Sequence, residues 1–332
     1  MLSAIKDGLA GIRRSYGLVF LLLGVNLGLA AGLAIPFSNQ MKKDLAKTGS
    51  AESMMYGFDF SWWSQWSEKQ TGFAGNFGPD MLGAGFAFKN LDLLLRGQLP
   101  AGLFARQREE DGENGNGGGP GLDPVILGLG LGYLLLQVFL TGGLLGVLRG
   151  DQGSWTLRGL LQGSGFYFGR LLRIAMLALL ADFILFRLNL PFARWADDHA
   201  REAISGASAM AWTLGRHALL LLALLAVHMV STYAKVIVVL EERSSALLAF
   251  VSALSFCARN LLRAAGLYGL IALASVLLLA LWSTLDGAWT VTGYKTQLLA
   301  LLLAQSLVLG RIALRLTLLG GQLSLYRRFS SL

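Results

Sequence analysis

The sequence predicts an all-α integral membrane protein with six transmembrane helices, a parallel internal repeat and one large extracytoplasmic loop. Three observations carry that prediction: six apolar runs of spanning length, Lys and Arg gathered at alternate joins, and a segment that matches a later one. The runs cover 16–36, 125–148, 173–190, 211–239, 264–285 and 296–319. A hydrocarbon core roughly 30 Å thick takes about 20 helical residues, and only a helix satisfies its own backbone there. Mean hydropathy is +0.56. Charged residues make up 14%, well under the roughly 25% of soluble domains. Many of the 42 glycines fall inside the runs, where small residues let helices approach closely.

The first run follows Lys6, Arg13 and Arg14 and ends in small residues, as a signal peptide would. Its apolar stretch exceeds the roughly 7–15 residues of a signal core, so it reads as an uncleaved signal anchor. The net charge of +8 is topogenic by its placement. Arg149, Arg158, Arg170 and Arg173 lie between runs two and three. Lys235, Arg243, Arg259 and Arg263 surround the join of runs four and five, and Arg327 and Arg328 end the chain. The other joins lack this excess: Asp197, Asp198 and Glu202 outweigh Arg194 and Arg201 between runs three and four. The positive-inside rule then places both termini in the cytoplasm, and this placement of the charge argues against nucleic acid as a partner.

The chain divides into a cytoplasmic N-terminus with the first span (1–36), an extracytoplasmic loop (37–123) and a five-helix membrane bundle (124–332). The loop opens on a dense aromatic cluster in which Trp62, Trp63 and Trp66 share one helical face. Two readings fit: an interfacial belt at headgroup level, or a contact for a membrane or periplasmic protein. The segment 81–103 is apolar but broken by Gly, charge and Pro100, and suits a surface-lying piece. The acidic and Gly-rich stretch 106–120 reads as a flexible linker; its ligand spacing fails that of a calcium loop.

Residues 151–180 lie on 241–270 without a gap, matching Ser154 to Ser244, Phe166 to Phe256 and Leu171, Leu172 and Arg173 to Leu261, Leu262 and Arg263. In each copy a span ends in a charged turn, a cytoplasmic helix opens at Ser154 or Ser244 as N-cap, and a basic end leads into the next span. Such copies are related by an axis along the membrane normal. The two cytoplasmic helices can rest on anionic lipid or couple to a soluble partner such as an ATPase.

Ionisable groups inside spans are costly and usually functional. Asp182 lies nine residues beyond Arg173, about 13 Å into the membrane. His228 sits at similar depth, and Arg311 and Arg315 share one face of run six. An ion pair of Asp182 with Arg311, Arg315 or His228 would neutralise the carboxylate, either to fix helix register or to move protons. Catalytic signatures are missing: the glycines at 115–119 do not follow a strand, so they do not read as a P-loop, and His199, His217 and His228 lack metal-ligand spacing. Asp197, Asp198 and His199 read as a solvated loop. The only cysteine, Cys257, excludes an internal disulfide. The sequence therefore predicts no enzyme, cofactor or metal.

Several features occur together in order: Tyr16; Gly57, Phe58, Asp59 and Trp62; Gly142 and Gly143; Tyr167, Phe168, Arg170 and Arg173; Tyr233, Ala234 and Lys235; and Gln305, Gly321 and Gln322. In this the chain resembles an uncharacterised family of bacterial six-span membrane proteins. The resemblance implies topology and bacterial origin and no chemistry. Two functions follow as expectations: a non-catalytic membrane subunit organising an envelope complex, or a transporter such as the permease of an ATP-driven exporter.

Overall fold

The computed structural model describes residues 2–48, 59–70, 124–150, 155–288 and 293–330, with isolated positions Ser50, Glu52, Met54, Ala74, Phe77, Gly85 and Leu91. The segments expected at 81–103 and 106–120 lie outside the described residues, apart from Gly85 and Leu91, as does the proposed cap Ser154. The described elements are α1 (Leu2–Arg14), α2 (Tyr16–Leu45), α3 (Phe60–Lys69), α4 (Pro124–Arg149) and α5 (Leu157–Arg201), followed by α6 (Gly206–Leu240), α7 (Ala246–Arg259), α8 (Leu261–Asp286) and α9 (Gly293–Phe329). No strand occurs among them.

Among the described residues, five helices are long and apolar enough to cross a membrane: Tyr16–Leu45, Gly128–Arg149, Gly206–Leu240, Leu261–Asp286 and Gly293–Phe329. Large apolar side chains on the outside suit lipid and not water; Met176, Leu188, Leu222, Val276, Leu277 and Leu302 are each at least 58% exposed. The run 173–190 falls inside α5, which is not among the five. Arg173, Asp182, Arg187 and Arg194 recur along it and interrupt its apolar surface. The expected separate helix before this span is also absent. Residues 157–201 form one 45-residue helix, on the order of 67 Å long. It opens at Thr156, whose side chain accepts from the Gly159 N–H.

The matching later segment does break. Its helix is capped by Ser245 rather than Ser244, through an N–H from Leu248. It ends at Asn260, whose backbone (φ −117°, ψ 31°) leaves the helical region between α7 and α8. Arg170 occupies the corresponding position of α5 and lies in unbroken helix. Prolines are absorbed differently from expectation too. Pro36, expected to close the first span, lies inside α2, which continues to Leu45. A proline removes one backbone bond, and side chains beyond it restore packing, as described below.

Packing is tightest at one end of the bundle. There α6 is the central pole, with Tyr233, Ala234 and 236–239 fully buried among Ala4, Leu145, Leu171, Ile174, Ala253, Ala264 and Leu325 from six other helices. A second cluster joins Leu18 and Leu22 of α2 to Leu140, Leu144, Leu160, Ile312 and Leu316. Glycine sets two crossings. A Cβ at Gly143 of α4 would lie 2.3 Å from the Leu160 carbonyl oxygen of α5, and one at Gly8 of α1 would lie 2.5 Å from the Thr317 oxygen of α9. The α1–α9 crossing brings both ends of the chain to the same end of the bundle, where Arg328 meets Asp7 at 2.6 Å.

Candidate functional site

Three polar groupings interrupt the apolar bundle. The first caps its tight end. The α6–α7 turn carries Glu241, Glu242 and Arg243, and Glu242 adopts φ 53°, a region that non-glycine residues seldom enter. That conformation lets the turn be held from three helices. Arg149 at the end of α4 donates to Glu242 Oε1 at 3.1 Å and to the Val239 oxygen. Arg170 of α5 donates to the Glu242 backbone oxygen at 3.0 Å, and Tyr326 of α9 donates to Glu241 Oε1. Arginines that the sequence marked as topogenic are thus structural ties as well.

The second grouping lies where α6, α8 and α9 cross. Gln322, fully buried, donates to Thr232 Oγ1 at 3.0 Å and to the Tyr268 hydroxyl at 3.1 Å, and those two hydroxyls bond to each other. Buried donors of this kind need partners, and α6 and α8 supply them to the Gln322 amide nitrogen, while Gln322 Oε1 has none among the described residues. His228 stands beside this knot with its ring 6.0 Å from that of Tyr268. Thr232 and Tyr268 are not singled out by the sequence, and Gln322, three residues beyond the sixth run, enters there only among the ordered features of the resemblance.

The third grouping is a groove of about 420 Å³ between α2, α4 and α9, lined among others by Asn26, Tyr133, Gln137, Gln305, Arg311 and Arg315. Arg315 donates to Gln137 Oε1, and its second terminal nitrogen donates to Thr141 Oγ1 at 3.1 Å. Arg311, one turn along the same face, is exposed and makes no hydrogen bond or ion pair among the described residues. The expected neutralisation of Asp182 is not formed. Asp182 is half-buried on α5 and has no ion pair to Arg311, Arg315 or His228 among the described residues. Arg315 spends its donors on neutral oxygens of α4 instead, because α4 and not α5 flanks it.

Two of the three tryptophans are taken up by contacts inside the chain. Asp59 caps α3 by accepting from the Trp62 N–H at 3.0 Å. Trp63 and Trp66 are then 5% and 7% exposed, packed on Phe37 of α2 with ring centroids 5.6 and 5.7 Å away. Trp66 Nε1 donates to Asp44 Oδ2 at 3.0 Å. Trp62 stacks on Trp66 and alone stays half-buried. The helical face therefore folds inward on the extension of α2 past Pro36. Asp197, Asp198 and His199 are helical, within α5, rather than a loop; Asp197 pairs with Arg216 at 2.9 Å. No group of three or more His, Cys, Asp or Glu residues able to hold a metal occurs among the described residues.

No protein-family model, curated protein or solved structure matches the chain. The site must be read from its own chemistry.

Proposed function

We propose that this chain is a non-catalytic, multi-pass subunit of a bacterial inner membrane, and that it organises a membrane protein assembly from its cytoplasmic side. The proposal takes the α5 segment 173–190 as a sixth span, puts both termini in the cytoplasm and treats 37–123 as an outer loop. The Lys/Arg distribution supports that orientation. The parallel repeat draws support from two helices that open on hydroxyl caps at nearly matching positions, Thr156 and Ser245.

The observation that carries the reading is the bare face of α7. Leu247, Leu248, Val251 and Leu254 fall on one side of that helix and are each at least 54% exposed, while Ala249 and Ala253 on the other side are fully buried. α7 is not itself among the spans, so this apolar strip needs a lipid surface or a protein to cover it. With Trp63 and Trp66 occupied inside the chain, the strip is a better docking surface than the aromatic face.

A transporter is the second reading, and the groove bearing Arg311 and Arg315 favours it, because ionisable groups lining a cavity at membrane depth mark transport paths. Purification in mild detergent followed by mass spectrometry separates the two. The subunit reading expects a stable complex without an ATPase, lost when Leu247 and Val251 are both changed to Ser. An ATPase recovered in stoichiometric amount favours the transporter. Recovery of the chain alone contradicts the subunit reading.

A further inference from the structure

Among the described residues, Arg311 and Arg315 have no counter-charge around them, and no Asp or Glu lines their groove. α4, α6 and α9 contain no Asp or Glu. In α2 the only acid is Asp44, bound to Trp66 and Lys47. In α8 it is the terminal Asp286, eight residues past Leu278, the side chain that abuts Gly310, or on the order of 12 Å along the axis. In α1 it is Asp7, paired with Arg328. The depth makes this costly. Gly321 packs on Leu267, four residues from Arg263, so Arg315 lies on the order of 15 Å inside the level of Arg263 and Arg311 farther still. Two cations one helical turn apart at such depth call for an anion.

We propose that the groove between α2, α4 and α9 is an oxyanion site, and that it takes a phosphate group. Arg311 supplies a free planar fork, a geometry suited to bidentate phosphate contact. Arg315, held by Gln137 and Thr141, presents its remaining N–H groups in a fixed orientation. Tyr133 and Gln305 line the same groove, and their side chains are of the kind that adds neutral donors. The phosphate arrives either as the headgroup of an anionic lipid sliding between the helices or as a diffusible ion. The site goes beyond the assembly reading and does not depend on it.

Two measurements on the full chain test it. Native mass spectrometry after release from nanodiscs of mixed phosphatidylcholine and phosphatidylglycerol reads the lipid source. Thermal unfolding in neutral detergent, titrated with inorganic phosphate and with chloride as the control, reads the diffusible one. The site predicts that phosphatidylglycerol is retained about tenfold over phosphatidylcholine, or that phosphate raises Tm where chloride does not. Whichever signal appears names the source. Arg311→Gln should weaken it about tenfold and Arg311→Lys should restore part of the loss. Arg315→Gln also removes the tie to α4, so Arg311→Gln, which leaves that tie intact, is the deciding variant. Lack of preference in both measurements, or wild-type binding by Arg311→Gln, overturns the proposal.

Discussion

Arg315 of α9 and Gln137 of α4 are joined by a direct hydrogen bond, with Thr141 completing the contact one turn further along α4. The bond links two spans far apart in sequence and fixes the register of α9 against α4. A hydrogen bond to a charged group is worth about 1.5–3 kcal/mol.

Arg315→Gln should therefore lower stability by about that amount. In a double-mutant cycle with Gln137→Leu the losses should couple by at least about 0.5 kcal/mol. Tryptophan fluorescence during denaturation in detergent measures both. Additive losses would mean that the two side chains do not support each other.

Asp182 leads to the opposite expectation. Without an ion pair among the described residues, removing it strands no cation. Asp182→Ala should leave stability within about 0.5 kcal/mol or raise it, since a half-buried carboxylate without an ion pair is a cost. A loss of more than about 1 kcal/mol in the same unfolding assay would show that the carboxylate is paired and contradict this account.

Cys257 offers a pH test. It is 2% exposed on α7, and burial pushes its thiol from the ordinary 9.0 up to about 12. Folding thus favours the neutral thiol. The associated stability is fully present below pH 9.0 and is lost as pH rises towards 12. At pH 8 a maleimide should fail to label the folded protein within the time that labels the denatured chain, because the thiolate is the nucleophile. Cys257→Ser should flatten the alkaline fall in stability. Equal labelling of the folded and denatured chains would place the thiol at the surface.

Much of the architecture was legible because apolar length and small residues act locally. Each of the six runs lies within a helix, and Gly143 marks a close crossing, as small residues in apolar runs imply. The sequence did not reveal that Pro36 and Arg170 would sit in continuous helix, because the side chains that compensate come from elsewhere. Phe37 and Met41 gain Trp63 and Trp66 as neighbours, and Arg170 gains the Glu242 oxygen. The candidate site was half legible. Arg311 and Arg315 were identifiable as charges in an apolar run. The partners of Arg315, Gln137 and Thr141, depended on which helices pack together, and spacing along one chain does not encode that. The inward turn of Trp63 and Trp66 was hidden for the same reason: Asp44 and Phe37 belong to an extension of α2 that Pro36 was expected to end.

The central claim is that the tightly packed end, with both termini and the bare face of α7, lies in the cytoplasm. Cysteine labelling in a Cys257→Ser background tests it most directly. A membrane-impermeant maleimide applied to intact cells should label Asn114→Cys and leave Gln152→Cys unlabelled until the cells are opened. Labelling of Gln152→Cys in intact cells, with Asn114→Cys protected, would contradict the account.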